Sequence, residues 1–196
     1  MAISIEKFLL ASSSPYRRQL LQKVIGEFIT VAPEVDETRA PEETPRHLAV
    51  RLAEAKVRAL TSTYNDYWII ASDQVAVCGS SILGKPGDAA TAVNQLEVVS
   101  GKTVNFYTAV SIFNPGCADV LTELDSCKVV FKRLREAQIK HYIAIDNPLD
   151  CAGSFKSEGF GIVLMERFIG DDPNALVGLP LIKLTQMLER MGINLL

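Results

Sequence analysis

Residues 67–79, YWIIASDQVAVCG, constrain the fold most: a β-branched and apolar run interrupted by Ser72, Asp73 and Gln74. Such a run reads as a strand. Other strand-like stretches accompany it. Phe8–Ser12 reads as a buried strand and Glu27–Ala32 as a short one. TVNFYTAVSIFN (103–114) and Glu123–Phe131 are linked by a turn at Pro115-Gly116, which suggests antiparallel pairing. GIVLMERFIG (161–170) is strand-like as well. Helical segments alternate with these. They are Pro15–Val24, a helix opened by Thr44-Pro45, GDAATAVNQLEVVSG (87–101), Arg135–Ile145, and Leu181–Met191 after Pro180. In the second helix Leu48, Leu52, Ala55 and Ala59 fall on one stripe at helical spacing. The alternation predicts an α/β fold with a mixed sheet flanked by helices, taken as a single domain over 1–196.

Composition removes several function classes. Twenty basic against 23 acidic residues give a net charge of −3, no footprint for a nucleic-acid polymer. No apolar run approaches the roughly 18 residues of a membrane span, and the N-terminus lacks a signal-peptide pattern. A cytoplasmic protein with no membrane partner is expected. The four cysteines are scattered without a C-x-x-C pair, and there are only two histidines, so zinc-finger spacing is absent. Any catalysis must therefore rest on carboxylates, lysines and an oxygen-bound metal.

The chemistry-bearing residues stand out against this background. Asp73 lies in the middle of an apolar run, where a carboxylate is either paired or used, because burying it alone is costly. Val35-Asp36-Glu37 puts two acids on a loop after a strand; it reads as a solvated acidic turn or, with Asp73, as a hard oxygen site for Mg²⁺ or Mn²⁺. Lys56 sits near the buried stripe of its helix, and Lys85 lies in a glycine-proline turn, LGKP. SGKT at 100–103 is not a P-loop, since Leu96 stands where the first glycine is required. CAGSFKSEGFG (151–161) is dense in small residues, with Lys156 and Glu158 between glycines. It suits either a loop that approaches a ligand closely or a flexible surface loop.

LLASSSPYRRQLL (9–21) poses an electrostatic problem. Ser14 followed by Pro15 reads as an N-cap, which places Arg17 and Arg18 on the first helical turn, where the macrodipole disfavours cations. Either both arginines are simply solvated, or a phosphate is held there by free backbone N–H groups, serine hydroxyls such as Ser12, and an arginine fork.

Together, LLASSSPYRR, VDE, AEAK, SDQ, GKP, GSFKSEGFG and NALVGLP occur in an order and spacing that resemble the Maf nucleotide pyrophosphatases over essentially the whole chain. The resemblance implies an elongated mixed-sheet α/β fold akin to house-cleaning, ITPase-like nucleotide triphosphatases. DQV followed by SFKSEGFG looks like the bacterial subgroup that hydrolyses 7-methyl-GTP to 7-methyl-GMP and pyrophosphate. Carried over by motif, Arg17, Glu37, Lys56, Asp73 and Lys85 form the polar site. Asp73 is then the proton acceptor, Glu37 and Asp73 hold the divalent metal, and Ser12, Arg17, Lys56 and Lys85 hold phosphate. Tyr16, Gln74 and Glu158 stand at positions tied to substrate choice. Tyr16 departs from the tryptophan often found there and keeps a smaller stacking face. The implied partner is a small-molecule nucleotide, with a homodimer left open. Three other readings remain at this level: a non-catalytic nucleotide-binding module, a division inhibitor acting through a partner, and a Maf pyrophosphatase preferring dTTP or UTP.

Overall fold

The computed structural model describes residues 6–196; residues 1–5, on which part of the single-domain and signal-peptide readings falls, lie outside them. The strands are β1 (Phe8–Ala11), β2 (Ile29–Val31), β3 (Trp68–Cys78), β4 (Ser81–Leu83), β5 (Thr103–Asn114), β6 (Asp119–Phe131) and β7 (Met165–Ile169). The helices are α1 (Pro15–Leu21), α2 (Pro45–Thr61), α3 (Ala89–Val99), α4 (Glu136–Asp146), α5 (Pro173–Val177) and α6 (Leu181–Arg190). One mixed sheet in the order β2-β1-β3-β5-β6-β7 joins them, with β4 added to β3. β1 is parallel to both β2 and β3, while the pairs β3–β4, β3–β5, β5–β6 and β6–β7 are antiparallel.

Alternation along β3 sorts the core into layers. Ile69, Ala71, Val75 and Val77 meet α2 through Val57, Leu60, Leu48 and Leu52. On the opposite face Trp68 and Ile70 pack against α1 and α6, while Ala76 and Cys78 pack against α3 and α4. Asp73 therefore faces α2, and Ser72 and Gln74 face the other side.

Three expectations need correction. The buried stripe of α2 is Leu48, Ala49, Leu52, Ala53, Lys56, Val57 and Leu60; Ala55 is only partly buried and Ala59 is exposed. The apolar spacing admitted two neighbouring stripes, and the sheet selected the one with the larger side chains. GIVLMERFIG is not one strand: Phe160–Leu164 is a 3-10 turn, and only Met165–Ile169 is extended. Gly161 N–H is held by Asp146 Oδ2 at 2.8 Å, which winds this segment onto α4 before it can join the sheet. β6 begins at Asp119 rather than Glu123, because β5 supplies a ladder partner along its full length. No helix among the described residues is long and apolar enough to cross a membrane.

Candidate active site

The serine-rich turn after β1 builds one wall of a cleft of about 680 Å³. Ser14 caps α1 by accepting from Arg17 N–H at 3.4 Å, with Pro15 in the first turn. Ser12, nearly buried, accepts from Ser14 N–H at 3.1 Å. Arg17 is half-buried and donates from Nε to the Gly178 carbonyl at 2.9 Å. Burial draws its guanidinium below the usual range while the charges of Asp73 and Glu37 oppose this; it stays a cation at neutral pH. Arg18 is exposed. Only one arginine of the pair enters the site.

The cleft floor comes from α2 and β3. Lys56 is 8% and Asp73 7% exposed, so each would be costly if unpaired. Lys56 Nζ lies 2.6 Å from Asp73 Oδ1 and 2.6 Å from Glu37 Oε1, the latter on the loop after β2. The two carboxylates separate electrostatically. Burial raises Asp73 above its ordinary value against the attraction of Lys56 and Arg17, and Glu37 adds to the rise. Burial also works to raise Glu37, but the hydrogen bond and charge of Lys56, with Lys85 and Arg17, hold it below the usual carboxylate range. One acid is thereby a stronger base than an exposed carboxylate, and the other stays ionised. Lys85 is exposed at the rim and acts on this pair through its charge.

Among the described residues no three His, Cys, Asp or Glu side chains group as a metal site. Glu37 and Asp73 nevertheless meet at one cationic point with oxygen-only donors. Each spends one oxygen on the Lys56 ammonium, so the second oxygen of each would be the donor to a hard divalent ion.

Tyr16 and Glu158 also line the cleft. Tyr16 donates its hydroxyl to Asp150 Oδ1 at 3.3 Å, and Lys156 Nζ lies 5.3 Å from the centre of its ring. The loop bearing Glu158 is anchored on α4. Lys156 N–H donates to the Tyr142 hydroxyl at 2.9 Å, and Lys156 Nζ to the Asp146 carbonyl at 2.9 Å. Gly161 is required there, since a Cβ would collide with the Lys156 carbonyl. Glu158 itself is exposed.

Gln74 lines the cleft, with its amide nitrogen taken up by the protein. Its Nε2 faces three acceptors: Thr108 Oγ1 at 3.0 Å, the Ala175 carbonyl at 2.9 Å and the Leu176 carbonyl at 3.0 Å. Only its carbonyl oxygen is left for a ligand. Sequence reasoning named Ser72 only as an interruption of its strand and missed Thr108 and Asp150. Ser72 and Thr108 had a signal, as polar residues inside apolar strands; Asp150 had none.

An open mixed sheet with one cleft lined by three cations, Arg17, Lys56 and Lys85, and four carboxylates, Glu37, Asp73, Asp150 and Glu158, defines an α/β protein with a charged, polar cleft. A solved structure of the Ham1 protein from Staphylococcus aureus shares the fold, with a TM-score of 0.52 at 13% identity over 96% of this chain and 100% of that one. A curated 7-methyl-GTP pyrophosphatase from Alcanivorax borkumensis is 50% identical over 187 residues, 95% of each chain. The Maf-like protein family matches residues 7–191. The chain belongs to the Maf family.

Proposed function

We propose that this Maf protein is a nucleoside triphosphate pyrophosphatase that converts 7-methyl-GTP to 7-methyl-GMP and pyrophosphate, clearing a modified nucleotide in the cytoplasm. One observation carries the reading. A carboxylate buried in an apolar strand, Asp73, shares the Lys56 ammonium with Glu37 at 2.6 Å on each side, beneath Arg17 and Lys85. A module that only bound nucleotide would need the cations but not that buried acid. The identity to the Alcanivorax borkumensis pyrophosphatase supports the same substrate class.

In this reading Arg17, Lys56 and Lys85 hold the triphosphate, and Ser12 adds a hydroxyl. Asp73 takes the proton of a water whose oxygen attacks the α-phosphorus. The bond from that phosphorus to the β-bridging oxygen breaks, and pyrophosphate leaves. Mg²⁺ or Mn²⁺, held by Glu37 and Asp73, would offset the phosphate charge. Methylation at N7 makes guanine cationic, which suits the face of Tyr16. Glu158 can accept from the ring N–H and amino group of guanine, an arrangement uracil and thymine do not offer.

The test is product analysis with 7-methyl-GTP, GTP, dTTP and UTP in Mg²⁺ or Mn²⁺. The expected result is monophosphate plus pyrophosphate, fastest from 7-methyl-GTP and abolished by EDTA. Preference for dTTP or UTP would overturn the substrate, and stepwise orthophosphate release would overturn the mechanism.

A further inference from the structure

Between its two apolar clusters, the sheet face opposite α2 carries a polar ledge of Ser72, Gln74 and, directly across on β5, Thr108. Ser72 is 0% and Thr108 1% exposed, so their hydroxyls are costly there unless bonded. All three side chains turn to the carbonyls of one short segment. Gln74 Nε2 and Thr108 Oγ1 both bond the Ala175 carbonyl, each at 2.9 Å. Ser72 Oγ lies 2.8 Å from the Gly178 carbonyl and 2.7 Å from the Ala109 carbonyl. The Gly178 oxygen is also the acceptor for Arg17 Nε. One oxygen thus joins a buried strand hydroxyl to the guanidinium at the cleft wall. Position 178 needs glycine because its φ is +123°; a Cβ there would only reach ordinary contact with Arg17 Nε, at 3.4 Å.

We propose that Ser72 and Gly178 are positioning residues for Arg17. The Gly178 carbonyl takes the Nε–H, so the fork presents its two terminal nitrogens to the cleft as a pair matched to phosphate oxygens. Ser72 shares its single hydroxyl proton between that carbonyl and the Ala109 carbonyl, and so ties the Gly178 oxygen to β5. A long, rotamer-rich side chain is thereby fixed before the ligand arrives, and binding energy is not spent on ordering it. The proposal deepens the reading above and rests on Arg17 meeting the phosphates.

The experiment measures binding of inorganic tripolyphosphate by calorimetry to Ser72→Ala and Gly178→Ala, each made in the wild-type and Arg17→Ala backgrounds, with thermal melting alongside. Ser72→Ala should weaken binding roughly fivefold in the wild type, the size of one lost hydrogen bond. In the Arg17→Ala background it should have no further effect, because the two changes act on one unit. Gly178→Ala should follow the same pattern, and if it fails to fold the Ser72 cycle decides. Equal losses in both backgrounds, or none in the wild type, would overturn the positioning role alone. If Arg17→Ala binds tripolyphosphate as tightly as the wild type, the phosphate role of Arg17 falls and this proposal with it.

Discussion

Asp73 is held in an apolar layer by a single ammonium, which makes it sensitive to changes that keep its size. Lys56 Nζ donates to Asp73 Oδ1 at 2.6 Å, and an asparagine oxygen can accept the same bond. Asp73→Asn should therefore fold, yet it has no means of accepting a proton. Turnover is expected to drop at least about 10²-fold, the low end of general-base contributions. Steady-state rates together with near-UV circular dichroism check this; full turnover would leave Asp73 a purely structural partner of Lys56 and move the base to Glu37. At Arg17 the structure settles the electrostatic problem posed by a cation on a first helical turn. The opposing partner is a main-chain carbonyl, so the side chain is not simply solvated, whereas Arg18 is.

At the level of elements, α5 is the piece least able to stand alone. Its five residues are far below the length at which an isolated helix is stable. Asp172, 1% exposed, holds it: one carboxylate oxygen accepts from Asn174 N–H at 2.8 Å, the other from Ile182 N–H at 2.8 Å in the first turn of α6. Asp172→Ala should cost roughly 1–3 kcal/mol, since it removes the cap of one helix and the acceptor of one part-buried N–H in another. Asp172→Asn keeps an acceptor and should lose less. Urea unfolding midpoints measure both, and equal midpoints for wild type and Asp172→Ala would show that the sheet alone orders this segment. The carbonyls released in the alanine variant are those that Ser72, Gln74 and Thr108 hold, so phosphate affinity should fall with stability.

Across the whole molecule, the cleft is walled by segments far apart in the chain, around Ser12–Arg17, Glu37, Lys56, Asp73, Asp150–Glu158 and Leu176–Gly178. A ligand bridging them resists global unfolding. Pyrophosphate with Mg²⁺ at 100 times its Kd should stabilise the protein by about 2.7 kcal/mol. Differential scanning calorimetry should show a raised Tm that shrinks in Arg17→Ala, and an unchanged Tm at saturating pyrophosphate would argue against a phosphate site there. The sequence alone determined the alternation of strands and helices, the cap at Ser14 and the polar residues worth following. Those signals are local: periods of two and 3.6 residues, a proline after a serine, a carboxylate in an apolar run. Tertiary structure decided which α2 stripe is buried, that one lysine serves two acids, and that Gln74 spends its amide on the backbone. It also decided the partner of Arg17, a carbonyl 161 residues away. Every residue carries the same carbonyl, so no side-chain pattern marks the one that will matter. Its role exists only once the chain has folded and brought Gly178 beneath the guanidinium.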